Sequence, residues 1–195
     1  MDETRQTFLD ELYAHGRAHD ERYEDRLKRL RNVEPETAEL LGVLVRSMQA
    51  KRVLEIGTSN GYSTIWLGDA AEAVGGSVVS LEIEPARTAE ALDNLTQAGV
   101  SEFAELRTQD AAEALAAFAA ESFDLVFLDA ERREYASYWP DLVRVLRPRG
   151  LLVVDNTLSH ARELVEFSEL VYSAEGVTST LVTVGSGVLL VVKSA

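Results

Sequence analysis

Seven short runs dense in apolar residues, most of them separated by stretches with helical spacing, constrain this chain more than any other feature. The runs are Arg52–Ile56, Ser77–Ile83, Phe103–Arg107, Phe123–Leu128, Leu151–Val154, Val177–Val184 and Val188–Lys193. Helices are expected at Pro35–Met48, from Gly61 to about Val74, from Pro85 to near Ala98, at Ala111–Ala120, around Tyr135–Leu146 and from about His160 to Tyr172. Pro85 suits a first helical turn, and Gly99 suits a helix stop. Apolar strands alternating with amphipathic helices imply a parallel sheet covered on both faces. The end of the chain breaks this rhythm, because only Gly185-Ser186-Gly187 separates the last two runs. A link that short joins antiparallel strands only. The expected fold is therefore α/β and doubly wound, with a mostly parallel seven-stranded sheet that closes on an antiparallel hairpin.

At 195 residues, with 46% of them apolar and no linker-like stretch, the chain reads as a single domain over 1–195 with a real core. Within it, residues 1–32 form an N-terminal helical segment and residues 33–195 the main body. Phe8, Leu12, His19, Tyr23, Leu27 and Leu30 recur at three- and four-residue steps, with Gly16 expected to weaken the helix midway. That stripe reads as a face packed on the body, with a dimer contact or a cover over the active site as alternatives. The start, Met1-Asp2-Glu3-Thr4-Arg5, carries no apolar run, so a cytoplasmic protein without a secretory signal is expected. No membrane partner is expected either, since no apolar stretch reaches membrane length.

The absence of cysteine excludes disulfides, thiolate metal sites and cysteine nucleophiles. A formal charge of −14 repels nucleic acid. The charge is uneven: residues 2–31 hold eight acids and seven bases, whereas residues 32–195 hold 25 acids and 12 bases.

Ligands of open α/β sheets bind beyond the carboxyl ends of the strands. Three pieces of sequence fall there. Glu55-Ile56-Gly57-Thr58-Ser59-Asn60-Gly61-Tyr62-Ser63 leaves the first strand and opens a helix. Its glycines allow close backbone approach, and the free N–H groups of the helix start favour a carboxylate. Glu82 ends the second strand, where an acid suits the two hydroxyls of a ribose. Asp110-Ala111 follows the third strand, in reach of an adenine edge. The Gly-x-x-x-Gly spacing lacks the third glycine of Gly-x-Gly-x-x-Gly, which disfavours a nicotinamide or flavin cofactor. Asp129 ends the fourth strand and Asp155-Asn156 the fifth, so three oxygen donors meet over one sheet edge. Such a set suits octahedral Mg²⁺ or another hard cation, although a strand-end Asp also serves simply as a helix cap.

The stretch Val53–Ser63 resembles the first motif of class I S-adenosylmethionine-dependent methyltransferases, and more narrowly the catechol and caffeoyl-CoA O-methyltransferase group. The likeness runs from about Val33 to Lys193 and includes Leu81-Glu82-Ile83-Glu84-Pro85, Phe127-Leu128-Asp129-Ala130-Glu131, Val154-Asp155-Asn156-Thr157 and Val184-Gly185-Ser186-Gly187. It implies a Rossmann-like fold, S-adenosylmethionine as cofactor, a small phenolic acceptor and methyl transfer to its hydroxyl. By that resemblance Glu82 holds the ribose. Gly57 and the Ser59–Gly61 turn approach the methionine part, and Ser63 contacts its carboxylate. Asp129, Asp155 and Asn156 would bind a divalent cation that takes both oxygens of a vicinal diphenol. A homodimer also fits the group.

One position departs from the group's pattern. Arg132 stands where a lysine is usual, and arginine keeps its proton, so it cannot be a general base. It can steady a phenolate or bind an acidic group of the substrate. His160 is the remaining candidate base, against a plain reading as a surface histidine. Tyr135, Tyr138 and Trp139 read as core rather than substrate clamp. Two other readings stay open: a metal-independent methyltransferase with an N- or carboxylate acceptor, and a non-catalytic module that binds S-adenosylmethionine.

Overall fold

In the computed structural model, which describes residues 1–195, every apolar run becomes a strand: β1 (Arg52–Ile56), β2 (Ser77–Glu82), β3 (Ala104–Thr108), β4 (Phe123–Leu128), β5 (Leu146–Val154), β6 (Val177–Val182) and β7 (Val188–Lys193). The helices are α1 (Glu3–Asp20), α2 (Pro35–Met48), α3 (Tyr62–Val74), α4 (Pro85–Gln97), α5 (Ala111–Ala117), α6 (Tyr135–Val145) and α7 (Val165–Ser173). One seven-stranded sheet runs in the order β3-β2-β1-β4-β5-β7-β6. The first five strands pair in parallel, and β7 is antiparallel to both β5 and β6, as the short final link requires. Because β2 and β4 flank β1 on opposite sides, the winding reverses at β1, and a crevice opens beyond its carboxyl end.

All of β4 is buried, and its residues alternate between two cores. Leu125 and Phe127 join α2 and α3 on one face, while Phe123, Val126 and Leu128 join α5, α6 and α7 on the other. Tyr135 and Tyr138 lie in this second core, with Trp139 packed against it. No helix is long and apolar enough to cross a membrane.

Three local expectations are corrected. Gly16 does not weaken α1, which runs unbroken through it; a Cβ there would meet the Asn32 side chain of the returning segment. The helical stripe stops with α1 at Asp20, and Tyr23 and Leu27 are exposed. The Asp20 carboxylate ends it by accepting the N–H groups of Leu30 (2.6 Å) and Arg31 (2.9 Å), which folds the chain back. Residues 157–164 form turns, and α7 starts only at Val165. There the N–H groups of Thr157, Leu158 and Ser159 bond the carbonyls of Gly187 and Ser186 in the hairpin loop, which holds the segment against β7. β5 also begins before Leu151, with a register shift around Pro148 and a left-handed Arg149, because proline has no N–H for a ladder.

A single buried aspartate fastens α1 to the body. Asp69 on α3 is paired with Arg5 of α1, Arg46 of α2 and the terminal amine. Arg5 also donates to the carbonyls of Ala98 (2.9 Å) and Gly99 (3.3 Å) beyond α4. Removing Asp69 leaves the mostly buried Arg5 with Glu72 as its one carboxylate partner and leaves Arg46 with none. Asp69→Ala is expected to lower the unfolding free energy in urea by about 3 kcal/mol. A loss under about 1 kcal/mol would show that apolar packing alone holds α1.

Candidate active site

A cleft of about 1180 Å³ lies over the carboxyl ends of the parallel strands. Pockets for a single ligand run to roughly 300–1,000 Å³, so this one has room for two molecules side by side. Its floor is set where β1 and β4 end. Gly57 has φ +107°, and a Cβ there would collide with the Asp129 carbonyl oxygen. Gly61 (φ +86°) caps α3 close against the side chains of Leu95 and Ala91 of α4.

At one end of the cleft stands Glu82. One of its oxygens accepts from Ser59 N–H (2.8 Å) and the other from the N–H groups of Ile83 and Glu84 (both 3.0 Å). These donors fix the carboxylate and leave lone pairs directed at the cleft it lines. Asp110 and Ala111 also line this end, but one Asp110 oxygen caps α5 through Ala112 N–H (2.9 Å) and Glu113 N–H (3.1 Å). The turn contributes mainly through its backbone. Thr58 bonds Ser80 (2.6 Å) beneath the floor, and the fully buried Asn60 receives Asn94 on its carbonyl (2.9 Å).

Glu55, grouped by sequence with the cofactor residues, lies behind the cleft with no exposed surface. It accepts hydrogen bonds from Ser63 (2.6 Å), Thr64 (2.5 Å) and Ser80 (2.5 Å), tying β1, β2 and α3 together. Burial pushes its carboxyl up to about 7, against the pull of those hydroxyls. Ser63 lines the cleft while giving its own proton to Glu55.

At the other end Asp129, Asp155 and Asn156 converge, as the strand order requires. The Asn156 amide nitrogen bridges Asp129 Oδ1 (2.9 Å) and Asp155 Oδ2 (3.1 Å). Burial raises both carboxyls; the guanidiniums of Arg31 and Arg132 pull Asp129 back, and the Asp129 charge pushes Asp155 further up. Asp155 Oδ1 is buried without any partner. An orphaned carboxylate oxygen beside a second carboxylate is a costly arrangement that a hard cation relieves. Nowhere do three Asp, Glu, His or Cys side chains cluster, so a cation here needs the Asn156 amide oxygen, brought round by turning the amide over.

Arg132 and His160 border this cluster in the cleft. Arg132 is 5% exposed, and its Nε–H donates to Glu163 (3.0 Å). His160 Nδ1 lies 2.8 Å from Ser159 Oγ. Burial, then the charges of Arg132, Arg26 and Arg31, lower its pKa, so the ring is neutral at pH 7.

Residues 22–33 supply a wall of the cleft. Arg87 of α4 donates to the carbonyls of Leu27 (2.6 Å) and Arg29 (3.0 Å), and Ser59 donates to that of Leu30 (2.6 Å). Glu131 takes Arg31 (3.0 Å) and Arg26 (3.3 Å), and Arg26 lies 3.7 Å from Glu163. The cover over the active site, raised as an alternative for this segment, is thus what the non-helical part forms. The signal was the run of bases before residue 32 in an otherwise acidic chain; nothing local marks Glu163.

Comparison with known proteins agrees with this layout. The O-methyltransferase family model matches residues 19–194, and the chain belongs to that family. The match starts upstream of Val33, so it takes in the segment that walls the cleft. The catechol O-methyltransferase of Mycobacterium tuberculosis is 38% identical over 134 residues, 69% of this chain and 60% of that protein. The catechol O-methyltransferase of Niastella koreensis is 35% identical over 140 residues, 70% of this chain and 63% of that protein. The chain thus spans about three fifths of the length of these curated relatives. Among solved structures, the Bacillus cereus O-methyltransferase in complex with SAH aligns with a TM-score of 0.80 and 28% identity, covering 100% of this chain and 92% of that one. TomG of Streptomyces achromogenes, in complex with SAM, gives 0.79 and 29%, covering 100% and 91%. The sheet with its terminal hairpin is the Rossmann-like architecture of these neighbours.

The raised Glu55 pKa has a measurable consequence. Between its ordinary value of 4.5 and about 7 the folded protein keeps a proton that the unfolded chain releases. Stability of the ligand-free protein is therefore greatest below that window and falls as pH rises through it. Asp129 and Asp155, also raised, act in the same direction. Denaturation between pH 5 and 7 is expected to show a slope that Glu55→Gln flattens by up to about 1.4 kcal/mol per pH unit. Equal slopes in the two proteins would mean that Glu55 is ionised throughout.

Proposed function

We propose that this chain transfers the methyl group of S-adenosylmethionine to a hydroxyl of a small phenolic acceptor, with a divalent cation held by Asp129, Asp155 and Asn156. The observation that carries the reading is that one cleft, large enough for two ligands, has Glu82 and the Gly57–Gly61 turn at one end and the Asp129–Asp155–Asn156 cluster at the other. Family membership and the SAH- and SAM-bound neighbours support the choice of cofactor.

In this reading Glu82 accepts the ribose hydroxyls, the Asp110–Ala111 edge meets the adenine, and the turn's backbone faces the methionine portion, with Ser63 at its carboxylate. S-adenosylmethionine supplies the methyl group on a sulfonium, a reactive centre that needs no covalent help from the protein. A divalent cation supplies Lewis acidity, lowering the pKa of a hydroxyl beside it. The protein's own work is to align acceptor oxygen and cofactor in the same cleft, which by itself can account for most of the acceleration of a direct displacement. Arg132 keeps its proton and cannot act as base; its charge faces the acceptor. His160, neutral at pH 7 and beside the cluster, is the group able to take the acceptor's proton.

A metal-independent variant of the reaction has one observation in its favour: the Asn156 amide already bridges the two carboxylates, whose raised pKa values let them hold protons instead of a cation. The test is transfer of a labelled methyl group from S-adenosylmethionine to catechol-type acceptors, with Mg²⁺ and with EDTA. Turnover is expected with Mg²⁺ and not with EDTA, and Asp155→Ala should cut kcat/KM by about 100-fold or more. Turnover indifferent to EDTA selects the metal-independent variant, and no methylated product with any acceptor overturns the proposal. His160→Ala should slow kcat by about 100-fold while S-adenosylmethionine affinity stays the same. An unchanged kcat removes His160 as base.

A further inference from the structure

We propose that the methyl acceptor carries a carboxylate, and that Arg132, braced by Glu163, is the residue that binds it. The inference rests on the methyl-transfer reading and adds the chemical class of the acceptor.

Two arginines at the cleft hold donors that lack acceptors. The Arg132 side chain is 4% exposed, yet its only hydrogen bond within the protein runs from Nε to Glu163. Its two terminal nitrogens, Nη1 and Nη2, remain unpartnered at the cleft it lines, beside Asp129. Nearby, Arg31 Nε is buried with no partner, although its Nη1 holds Glu131. The Arg132 tips open onto the cleft, where a ligand can take them, and the buried, unpartnered Arg31 Nε beside them adds a donor that the protein itself leaves unused.

The geometry of the free donors selects the ligand. With Nε committed to Glu163, the end of the guanidinium is a planar fork of two parallel N–H donors. That fork matches the two oxygens of a carboxylate, each at its own nitrogen. A lone phenolate oxygen could take both tips only by bending both hydrogen bonds toward one atom, whereas a carboxylate gives each nitrogen its own acceptor. Charge agrees with shape. Setting aside Asp129 and Asp155, four guanidiniums (Arg26, Arg31, Arg132, Arg133) meet two carboxylates (Glu131, Glu163) at this rim. Even with both aspartates counted these groups balance, in a chain whose net charge is −14. Phosphate suits the site less well, because Glu163 and Glu131 would stand against its second negative charge.

The test compares matched ligands by calorimetry, using the full chain saturated with S-adenosylhomocysteine and Mg²⁺. The ligands are 3,4-dihydroxybenzoate and its methyl ester, which differ only in the charged group. In the wild type the acid is expected to bind at least tenfold more tightly than the ester. Arg132→Gln should bring that ratio close to one, with retained S-adenosylhomocysteine binding showing that the variant is folded. Glu163→Ala, which keeps the guanidinium but removes the acceptor that holds its Nε, should reduce the ratio to an intermediate value. Equal affinity for acid and ester in the wild type, or a preference that survives in Arg132→Gln, overturns the inference. Binding is read without turnover, so a failure of methyl transfer would sink the enzymatic reading and leave the carboxylate preference to be judged on its own.

Discussion

Where β1 and β4 leave the sheet, the backbone at Gly57 and the carbonyl of Asp129 approach more closely than any side chain would permit. The rest of the molecule's working geometry depends on that contact. It holds the two central strands together to their last residues, so that the segments leaving them must diverge. After β1 the chain turns into α3 through Gly61, and after β4 it turns away toward α6. The cleft is the space between these departures. Since β2 and β5 flank the pair, their final acids, Glu82 and Asp155, are delivered to opposite ends of that space. A parallel sheet that reverses its winding next to a glycine thus sorts two acidic sites apart with no dedicated machinery.

Much of this was legible in the sequence because it is written in local patterns. The continuous apolar run in Phe123–Leu128, the Gly-x-x-x-Gly turn and the three-residue link before Val188 each act over a few residues. They dictate strand, turn and hairpin wherever they occur. The positions of Asp129, Asp155 and Asn156 came from strand ends alone. Glu55 is the instructive miss. It sits on the first motif, yet side chains of a strand alternate in direction, and its own lies under the floor among three hydroxyls rather than over it. Glu163 and the path of residues 22–33 were invisible for another reason. Their placement is set by pairings across a hundred residues, such as Arg31 with Glu131, and a single sequence carries no record of which opposite charges meet.

The electrostatics come from burying acids in an acidic chain. Glu55, Asp129 and Asp155 all bear raised pKa values because they are withdrawn from water. The protein answers each differently. Glu55 is surrounded by neutral hydroxyl donors and stays apart from any ligand. Asp129 and Asp155 share one amide and are flanked by Arg31 and Arg132, cations drawn from distant parts of the chain. Asp69 shows the third solution, two guanidiniums and the terminal amine on one carboxylate, used purely to hold a helix. The same residue type is thus made structural, ligand-facing or anchoring by its neighbours.

Beside the ion pairs of Arg26 and Arg31, the wall formed by residues 22–33 is gripped through its main chain. Asp20 takes the amides of Leu30 and Arg31, while Arg87 and Ser59 take the carbonyls of Leu27, Arg29 and Leu30. Amides and carbonyls are common to every residue, so this part of the grip does not depend on the side chains at Tyr23 and Leu27. Tyr23 and Leu27, exposed beside the cleft, are therefore free to drift over generations without loosening the wall. Evolution has here two positions whose chemistry can be rewritten while the course of the segment stays fixed, so that descendants of this chain can change what they admit without rebuilding how they fold.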